Sequence, residues 1–582
     1  MRKLTDHLLF ALIAAIFVAL FAVPIARVVG VAFVGVPIPG KPSHFTLDYF
    51  ATVFADPSLR QGLLNSVLLA IGTTLLCTLV ALPLAVLSVR YEFPGKSIFS
   101  GLLLVPLILP PFVGAIGMRQ LLGRNGAFTA ILQDLHIIPH GAPFDWLHFR
   151  VIGIMLIQAL SLYPIIYLNV TAALSNIDPA MQQAAANLGA SRWTIFRRIT
   201  LPLLSPGLFA GATIVLIWSF TELGTPLMFD FNMVTPVQVF NKLGQVEANP
   251  IPYVLVVIML LGSVMLYIGG KVILGRGGNA AVTKASVQST SVRLNFKQSL
   301  PILLLFSLVS LLALLPHIAV ILMSISGVGE WYQSAIPRVF TAANYVNGLS
   351  HPLAVPSVRN SIFYASLSTV FDIALGLIVA VMIVRSRLPR ALRATIDGLA
   401  MLPLAVPGLV MAFGYLAISL QLKTFFQSRQ WTVAANLFDV QNNPTLVLIL
   451  AYAMRRLPYV VRSAVAGLQQ TPVDLELASR NLGASGFYTL RRITIPLIAA
   501  NLIAGGLLAF AFAMLEVSDS LILAQKESHW PITKAIYELY TRLGDGPYIA
   551  SALGVWAMLI LTLTMLCANS LLGRKMGAIF RV

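Results

Sequence analysis

The chain is 582 residues long, 58% hydrophobic and only 10% charged, with a formal net charge of +18. A water-soluble domain carries roughly 25% charged residues, so this composition excludes a soluble globular protein and makes lipid the solvent for most of the chain. The basic residues are spread over the short connections between apolar runs, where positive charge fixes membrane topology, and this placement excludes a nucleic-acid partner.

Met1-Arg2-Lys3 leads into the first apolar run, 8–26, which is long enough to span a bilayer. No small-residue cleavage site follows it, so it predicts an uncleaved first helix. Further runs lie at 66–89, 98–118, 151–173, 206–228 and 253–274; after a polar stretch they resume at 300–324, 361–384, 394–417, 444–467, 502–524 and 549–572. Backbone polar groups cannot stay unpaired in hydrocarbon, so each run is expected to be helical. The predicted fold is all-α, a polytopic membrane helix bundle of about 12 transmembrane helices. Cys77 and Cys567 both fall inside apolar runs, which implies no disulfide framework.

Lys and Arg set the expected orientation. Arg192, Arg197 and Arg198 follow the fourth run; Lys271, Arg276, Lys284, Arg293 and Lys297 the sixth; Arg385, Arg387, Arg390 and Arg393 the eighth; and Arg480, Arg491 and Arg492 the tenth. Opposite loops mix signs, as with Lys41, Asp48, Asp56 and Arg60. The positive-inside rule then places the basic connections and both termini in the cytoplasm.

The stretch 275–297, rich in Gly, Ser, Thr and basic residues, reads as a flexible cytoplasmic linker between a first half, 1–274, and a second, 298–582. The halves repeat each other. Asn65-Ser66 matches Asn360-Ser361, Pro106 and Pro110 match Pro403 and Pro407, and Gly117 matches Gly414. Glu222 and Glu516 keep the separation of Gly189 and Gly483. Each half has an even number of spans, so the two six-helix repeats are parallel, related by an axis along the membrane normal.

The best-matched segments are 182–203 (QQAAANLGASRWTIFRRITLPL) and 476–497 (ELASRNLGASGFYTLRRITIPL). Residues 179–187 and 472–481 are expected to be short helices opened by a proline and closed by Gly189 or Gly483 in a left-handed conformation. Ile199-Thr200-Leu201-Pro202 and Ile493-Thr494-Ile495-Pro496 are expected to start the next membrane helices. Taken singly, such a loop only terminates helices. Two copies in register argue for a protruding docking helix with small residues such as Ala184 and Ala185 on its surface.

At these residues the chain resembles the permease subunits of binding-protein-dependent ABC importers, whose signature is EAA, three residues, Gly, nine residues, then I-x-L-P. The Gly189–Pro202 and Gly483–Pro496 spacings fit. The glutamate departs from the pattern, with Gln183-Ala184-Ala185 in one copy and Leu477-Ala478-Ser479 in the other, where Glu476 stands one position earlier. The resemblance implies that Gln183, Ala184, Ala185, Gly189, Pro202, Glu476, Ala478, Gly483 and Pro496 couple the chain to two copies of a cytoplasmic ATPase. It also implies an external solute-binding protein, residence in the bacterial inner membrane, and no catalytic site or cofactor in this chain. Thr221-Glu222-Leu223-Gly224 and the fused halves are most similar to the ferric-iron branch, with phosphonate, thiamine, polyamine and sulfate permeases as alternatives.

Charges inside apolar runs cost at least ~2.5–3.5 kcal/mol each at a helix centre, so they should face a pathway or one another. Arg455 and Arg456 lie near the middle of the tenth run, with Arg462 further along, where the first half has Ser161, Leu162 and Leu168. Glu222, Glu516 and Asp519 belong to the fifth and eleventh runs and Asp372 to the eighth. Glu222, Arg455, Arg456, Glu516 and Asp519 are the candidate substrate pathway; mutual pairing that only fixes helix packing is the competing reading. The asymmetric arginines lean toward an anionic or anion-bound cargo. Asp134, His136, His140, Asp145 and His148 crowd one outer loop without tight ligand spacing, which reads as a solvated loop and not a metal site.

Three further features bear on rival readings. Gly35 to Lys41 is the only near match to a phosphate-binding loop, and Pro42 replaces its Ser or Thr, so the match is a chance one. A secondary transporter can carry parallel repeats too, but it needs no docking helix. A membrane-embedded enzyme would need clustered His or acidic groups within the spans.

Overall fold

The computed structural model describes residues 2–35, 44–107, 111–139, 144–147, 150–274 and 292–572. Lys41, Pro42, Pro110, His140, His148, Arg276, Lys284 and the linker up to residue 291 lie outside the described residues.

The first half is built from ten principal helices. They are α1 (Asp6–Val34), α2 (Pro57–Arg90), α3 (Lys96–Leu102), α4 (Pro111–Leu122), α5 (Arg150–Ser175), α6 (Pro179–Asn187), α7 (Arg192–Thr221), α8 (Gly224–Met228), α9 (Thr235–Asn241) and α10 (Ile251–Leu274). The second half repeats them in order. α11 is Phe296–Ser324, α12 Ala354–Arg385, α13 Arg390–Ala405, α14 Gly408–Ser428 and α15 Thr445–Gln470. α16 is Val473–Asn481, α17 Gly486–Met514, α18 Ser518–Leu523, α19 Ile532–Tyr540 and α20 Gly546–Leu572. Among the described residues ten helices are long and apolar enough to cross a membrane, or up to eleven if one bent pair counts as a single span. α15 is absent from that set although its 26 residues would span, because Arg455, Arg456 and Arg462 interrupt its hydropathy. The architecture is thus the two-repeat polytopic helical bundle expected.

Proline chemistry explains where the helices depart from the apolar runs. A proline has no N–H for the carbonyl four residues before it, and the chain responds with a π turn ahead of the ring. In α1 the turn is Val18–Ala22, before Pro24; in α7 it is Phe196–Thr200, before Pro202; in α17 it is Leu490–Thr494, before Pro496. The N–H groups of Val23, Leu201 and Ile495 reach back to Val18, Phe196 and Leu490. The membrane helices after the docking segments therefore begin at Arg192 and Gly486, ahead of the Ile-Thr-x-Pro motifs expected to start them. The run 394–417 is two helices, since Val406 is extended (φ −93°, ψ 131°) as a residue before proline prefers. The runs 206–228 and 502–524 also break, so Glu222 and Glu516 lie at the helix ends rather than inside the helices.

α2, α5 and α7 pack together in the first half, as do α12, α15 and α17 in the second. The first helix of each half crosses over. α1 packs on α14, and α11 packs on α4. Gly414 brings the backbone of α14 against Pro24, where a Cβ would stand 3.0 Å from the Pro24 carbonyl carbon; Gly117 brings α4 against Pro316 and Val320. Tyr415 donates its hydroxyl to the Leu20 carbonyl at 2.7 Å, the carbonyl that Pro24 leaves free. A two-residue parallel ladder, β1 (Tyr91–Glu92) with β2 (Val292–Arg293), joins the chain leaving the linker to the first half.

The matched Asn-Ser pairs cap the short helices across the bundle. Ser66 Oγ accepts from the Thr235 N–H at 2.9 Å and Asn65 donates to the Met233 carbonyl. In the second half Ser361 Oγ accepts from Ile532 N–H at 2.8 Å and Asn360 donates to Ser528 and Trp530.

Candidate functional site

Two places in the bundle carry the candidate residues: the twin helices α6 and α16, and the break between α17 and α18. Asp178 caps α6 by accepting from the Ala180 N–H, with Pro179 at the first helical position. Pro472 itself is the N-cap of α16. Both helices end in a left-handed glycine, Gly189 at φ +81° and Gly483 at φ +87°, with open space where a Cβ would go. The Ala190 and Ala484 N–H groups return to Ala185 and Ser479, closing matched Schellman ends. Leu188 and Leu482, just before these glycines, are 88% and 89% exposed. Trp193 and Phe487 repeat the pattern one turn later, also exposed. Large apolar side chains at matched, protruding positions form a surface built for contact.

The base of each helix is pinned by an arginine. Arg385, last residue of α12, donates from Nε to Glu476 Oε1 at 3.1 Å and from Nη2 to the Leu468 and Thr471 carbonyls at 2.9 Å. In the first half Arg90 donates to Gln182 Oε1 at 3.0 Å. Glu476 is buried and turned toward Arg385, so its carboxylate does not lie on the exposed face shared by Ala478 and Leu482. Gln183 and Ala184 are solvent-facing on α6, and Pro202 and Pro496 set the π turns behind the helices. Arg90 and Arg385 escaped the sequence reading as pins, although their matched places at the ends of α2 and α12 were a visible signal.

At the second place, Arg455 Nη1 lies 2.9 Å from Glu516 Oε1 and 3.6 Å from Asp519 Oδ2. Arg456 pairs with the other oxygen of Glu516, its guanidinium 5.6 Å from the Phe512 ring. Glu516 and Asp519 are buried. Arg455 fits because residue 408 is glycine: a Cβ there would fall inside its guanidinium. Arg462 does not join this cluster and pairs with Asp397 at 3.1 Å.

The first half builds the matching place without arginines. Glu222 accepts from the Thr225 N–H at 3.0 Å and from Gln158 at 3.4 Å. Gln158 in turn accepts from Thr73 and Ser219. Ser161 stands where the second half has Arg455, and Pro111 stands where it has Gly408. Glu222 therefore shares a position with Glu516 but has partners of its own, while the two breaks adjoin, since a Cβ on Gly224 would stand 3.3 Å from Val517 Cγ1. Among the described residues no group of three or more His, Cys, Asp or Glu could hold a metal ion.

Comparison with known proteins matches two stretches, 77–277 and 372–577, to the family described as the binding-protein-dependent transport system inner membrane component. One match falls in each half, and each holds one twin helix and one glutamate at the break. The chain belongs to this family. Its members are membrane components of ABC transporters and not enzymes. The chain is 27% identical over 494 residues to the ferric transport system permease protein FbpB of Actinobacillus pleuropneumoniae, covering 83% of this chain and 66% of that protein. It spans a little under two thirds of the length of such ferric permeases. A probable ABC transporter permease protein, y4fN of Sinorhizobium fredii, is 26% identical over 77% of this chain and 76% of its own length. The molybdenum transport system permease protein ModB of Escherichia coli K12 is 34% identical over 185 residues, 31% of this chain and 76% of ModB.

Proposed function

We propose that the chain is a permease subunit of an ATP-driven importer, supplying two transmembrane halves, 1–274 and 298–582, joined by a linker at 275–297. Two copies of a cytoplasmic ABC ATPase dock on α6 and α16, and an external binding protein delivers the cargo. The observation that carries this reading is the pair of protruding helices with Leu188-Gly189 and Leu482-Gly483 at matched ends. Both termini and the twin helices then face the cytoplasm, in keeping with the basic connections. Closure of the ATPase pair draws α6 and α16 together, and α7 and α17, which follow them, carry the motion to Glu222 and Glu516. Exchange between two such states is alternating access driven by a partner. Gln183, Ala184, Ala185 and Ala478 provide close packing at the docking surface, whereas Glu476 positions its helix through Arg385. Glu222, Arg455, Arg456, Glu516 and Asp519 line the pathway.

The ferric permeases match both halves, which favours ferric iron as cargo. The higher identity to ModB, over the shorter stretch of 185 residues, keeps molybdate as the second reading. The test is reconstitution of the chain with its ATPase and binding protein in liposomes, measuring ATP-dependent uptake of radiolabelled ferric iron with molybdate as a parallel arm. Copurification of the ATPase with ATP-dependent uptake of ferric iron supports the reading. Uptake of molybdate alone would transfer the assignment to the second cargo, and failure of the ATPase to bind would overturn the importer itself.

A further inference from the structure

The Asp372 carboxylate on α12 and the Nε of Arg456 on α15 are buried and have no hydrogen-bond partner. Asp372, in the middle of α12, is fully buried and neither of its carboxylate oxygens is hydrogen-bonded. Arg456 on α15 spends one Nη on Glu516, while its Nε is buried and unpartnered. Buried polar groups are nearly always satisfied, so an orphan donor beside an orphan acceptor asks for an explanation.

The helix register places the two side by side. Gly376 packs on Val460, where a Cβ would meet the valine Cγ1 at 2.9 Å, and Arg385 reaches the Leu468 carbonyl. α12 and α15 therefore run parallel with a fixed offset. One turn back from the Gly376–Val460 contact, Asp372 is level with Arg456. Arg456 is also the basic group that acts electrostatically on Asp372. The first half has Cys77 and Leu162 at these positions, so the arrangement belongs to the second half alone.

α17 supplies the means of exchange. It starts beyond α16, passes both partner helices on Gly505 and Gly506, and ends beside Glu516. Gly505 meets Ser463 and Val460 of α15, and Gly506 meets Ile373 and Thr369 of α12. A shift of α17 relative to this pair carries Glu516 away from Arg456 while Asp372 keeps its level.

We infer that Asp372 is the alternative partner of Arg456, taking the guanidinium when α17 moves and so releasing Glu516 to the pathway. Asp372 is then a positioning residue, acting through Arg456. The inference rests on the pathway reading of Arg456 and Glu516 and adds a state to it. In the resting arrangement Asp372 is a cost, because an unpaired buried carboxylate loses its hydration without return. Its removal should leave the resting protein at least as stable while impairing the moving one.

The experiment compares Asp372→Asn, Asp372→Glu and Arg456→Gln in the full chain reconstituted with its ATPase and binding protein. Uptake of radiolabelled ferric iron is measured beside the melting temperature of the purified permease. Asp372→Asn is expected to keep or raise the melting temperature while uptake falls about tenfold, and Asp372→Glu to recover part of the uptake. A melting temperature that falls in proportion to uptake would make Asp372 a packing residue and overturn the inference. Normal uptake in Asp372→Asn alongside a defective Arg456→Gln would overturn the exchange alone. Normal uptake in both variants would remove the pathway reading beneath it.

Discussion

Replacing Arg385 by alanine should loosen α16 far more than replacing Arg90 loosens α6. Arg385 makes three hydrogen bonds, one of them to a carboxylate; its side chain is 13% exposed and that of Glu476 7%. Breaking a buried pair by removing one member costs roughly 3–5 kcal/mol, because the remaining charge is left unpaired. Arg90 makes one hydrogen bond to the neutral Gln182, a contact to a charged donor worth about 1.5–3 kcal/mol. The difference of about 2 kcal/mol should appear as a roughly thirtyfold greater change in local opening, since opening free energies are read directly from exchange rates. Hydrogen exchange followed by mass spectrometry over 473–481 and 179–187, in Arg385→Ala and Arg90→Ala, measures both at once. Adding Glu476→Gln to Arg385→Ala should recover part of the loss. Equal acceleration of the two helices would refute the reasoning, because it would mean that the buried carboxylate contributes nothing to holding α16.

Gly189→Ala and Gly483→Ala should each cost about 1–2 kcal/mol, from the left-handed backbone alone, and the double Gly→Asp variant should abolish transport while the chain still inserts; membrane abundance and uptake together check this. Gly408→Ala must expel the Arg455 guanidinium from its place beside Glu516, so uptake and melting temperature should both fall, while Pro111→Ala in the first half should change neither. Burial pushes the Asp439 carboxyl up, but Asn442 and Lys423 outweigh it and hold it below the ordinary carboxylate range. A carboxyl lowered in the folded state contributes stability at neutral pH that is lost as pH falls below about 4. Limited proteolysis of the segment around 429–443 should accelerate there, and Asp439→Asn should make its cleavage insensitive to that pH step.

Much of this was legible in the sequence because the duplication makes it so. Gly189 and Gly483, the Asn-Ser pairs and the two glutamates occur at matched positions, and each pair has a matched structural role. What escaped was local backbone geometry and side-chain direction. The apolar period continues through Glu222 and Glu516, so hydropathy does not mark the helix ends there. The Ile-Thr-x-Pro motifs read as helix starts because proline favours the first turn, whereas here it widens a helix already under way. Glu476 looks like a displaced docking acid until the place of Arg385, almost a hundred residues earlier, is known. The levelling of Asp372 with Arg456 rests on a register between α12 and α15 that no single run encodes.

The exchange of first helices also bears on how such a chain is made. α1 is made long before α14, yet part of its packing surface is supplied by α14, so it must wait beside α10 until the second half is synthesised. The first half is therefore not a finished object when its own last residue leaves the ribosome. A chain cut between the halves would yield fragments that complete each other, and either fragment alone would hold an open seam where its partner's first helix belongs. An ancestral half that assembled as a pair by trading this helix would give the present arrangement on duplication, with every contact already in place before the two copies shared one chain.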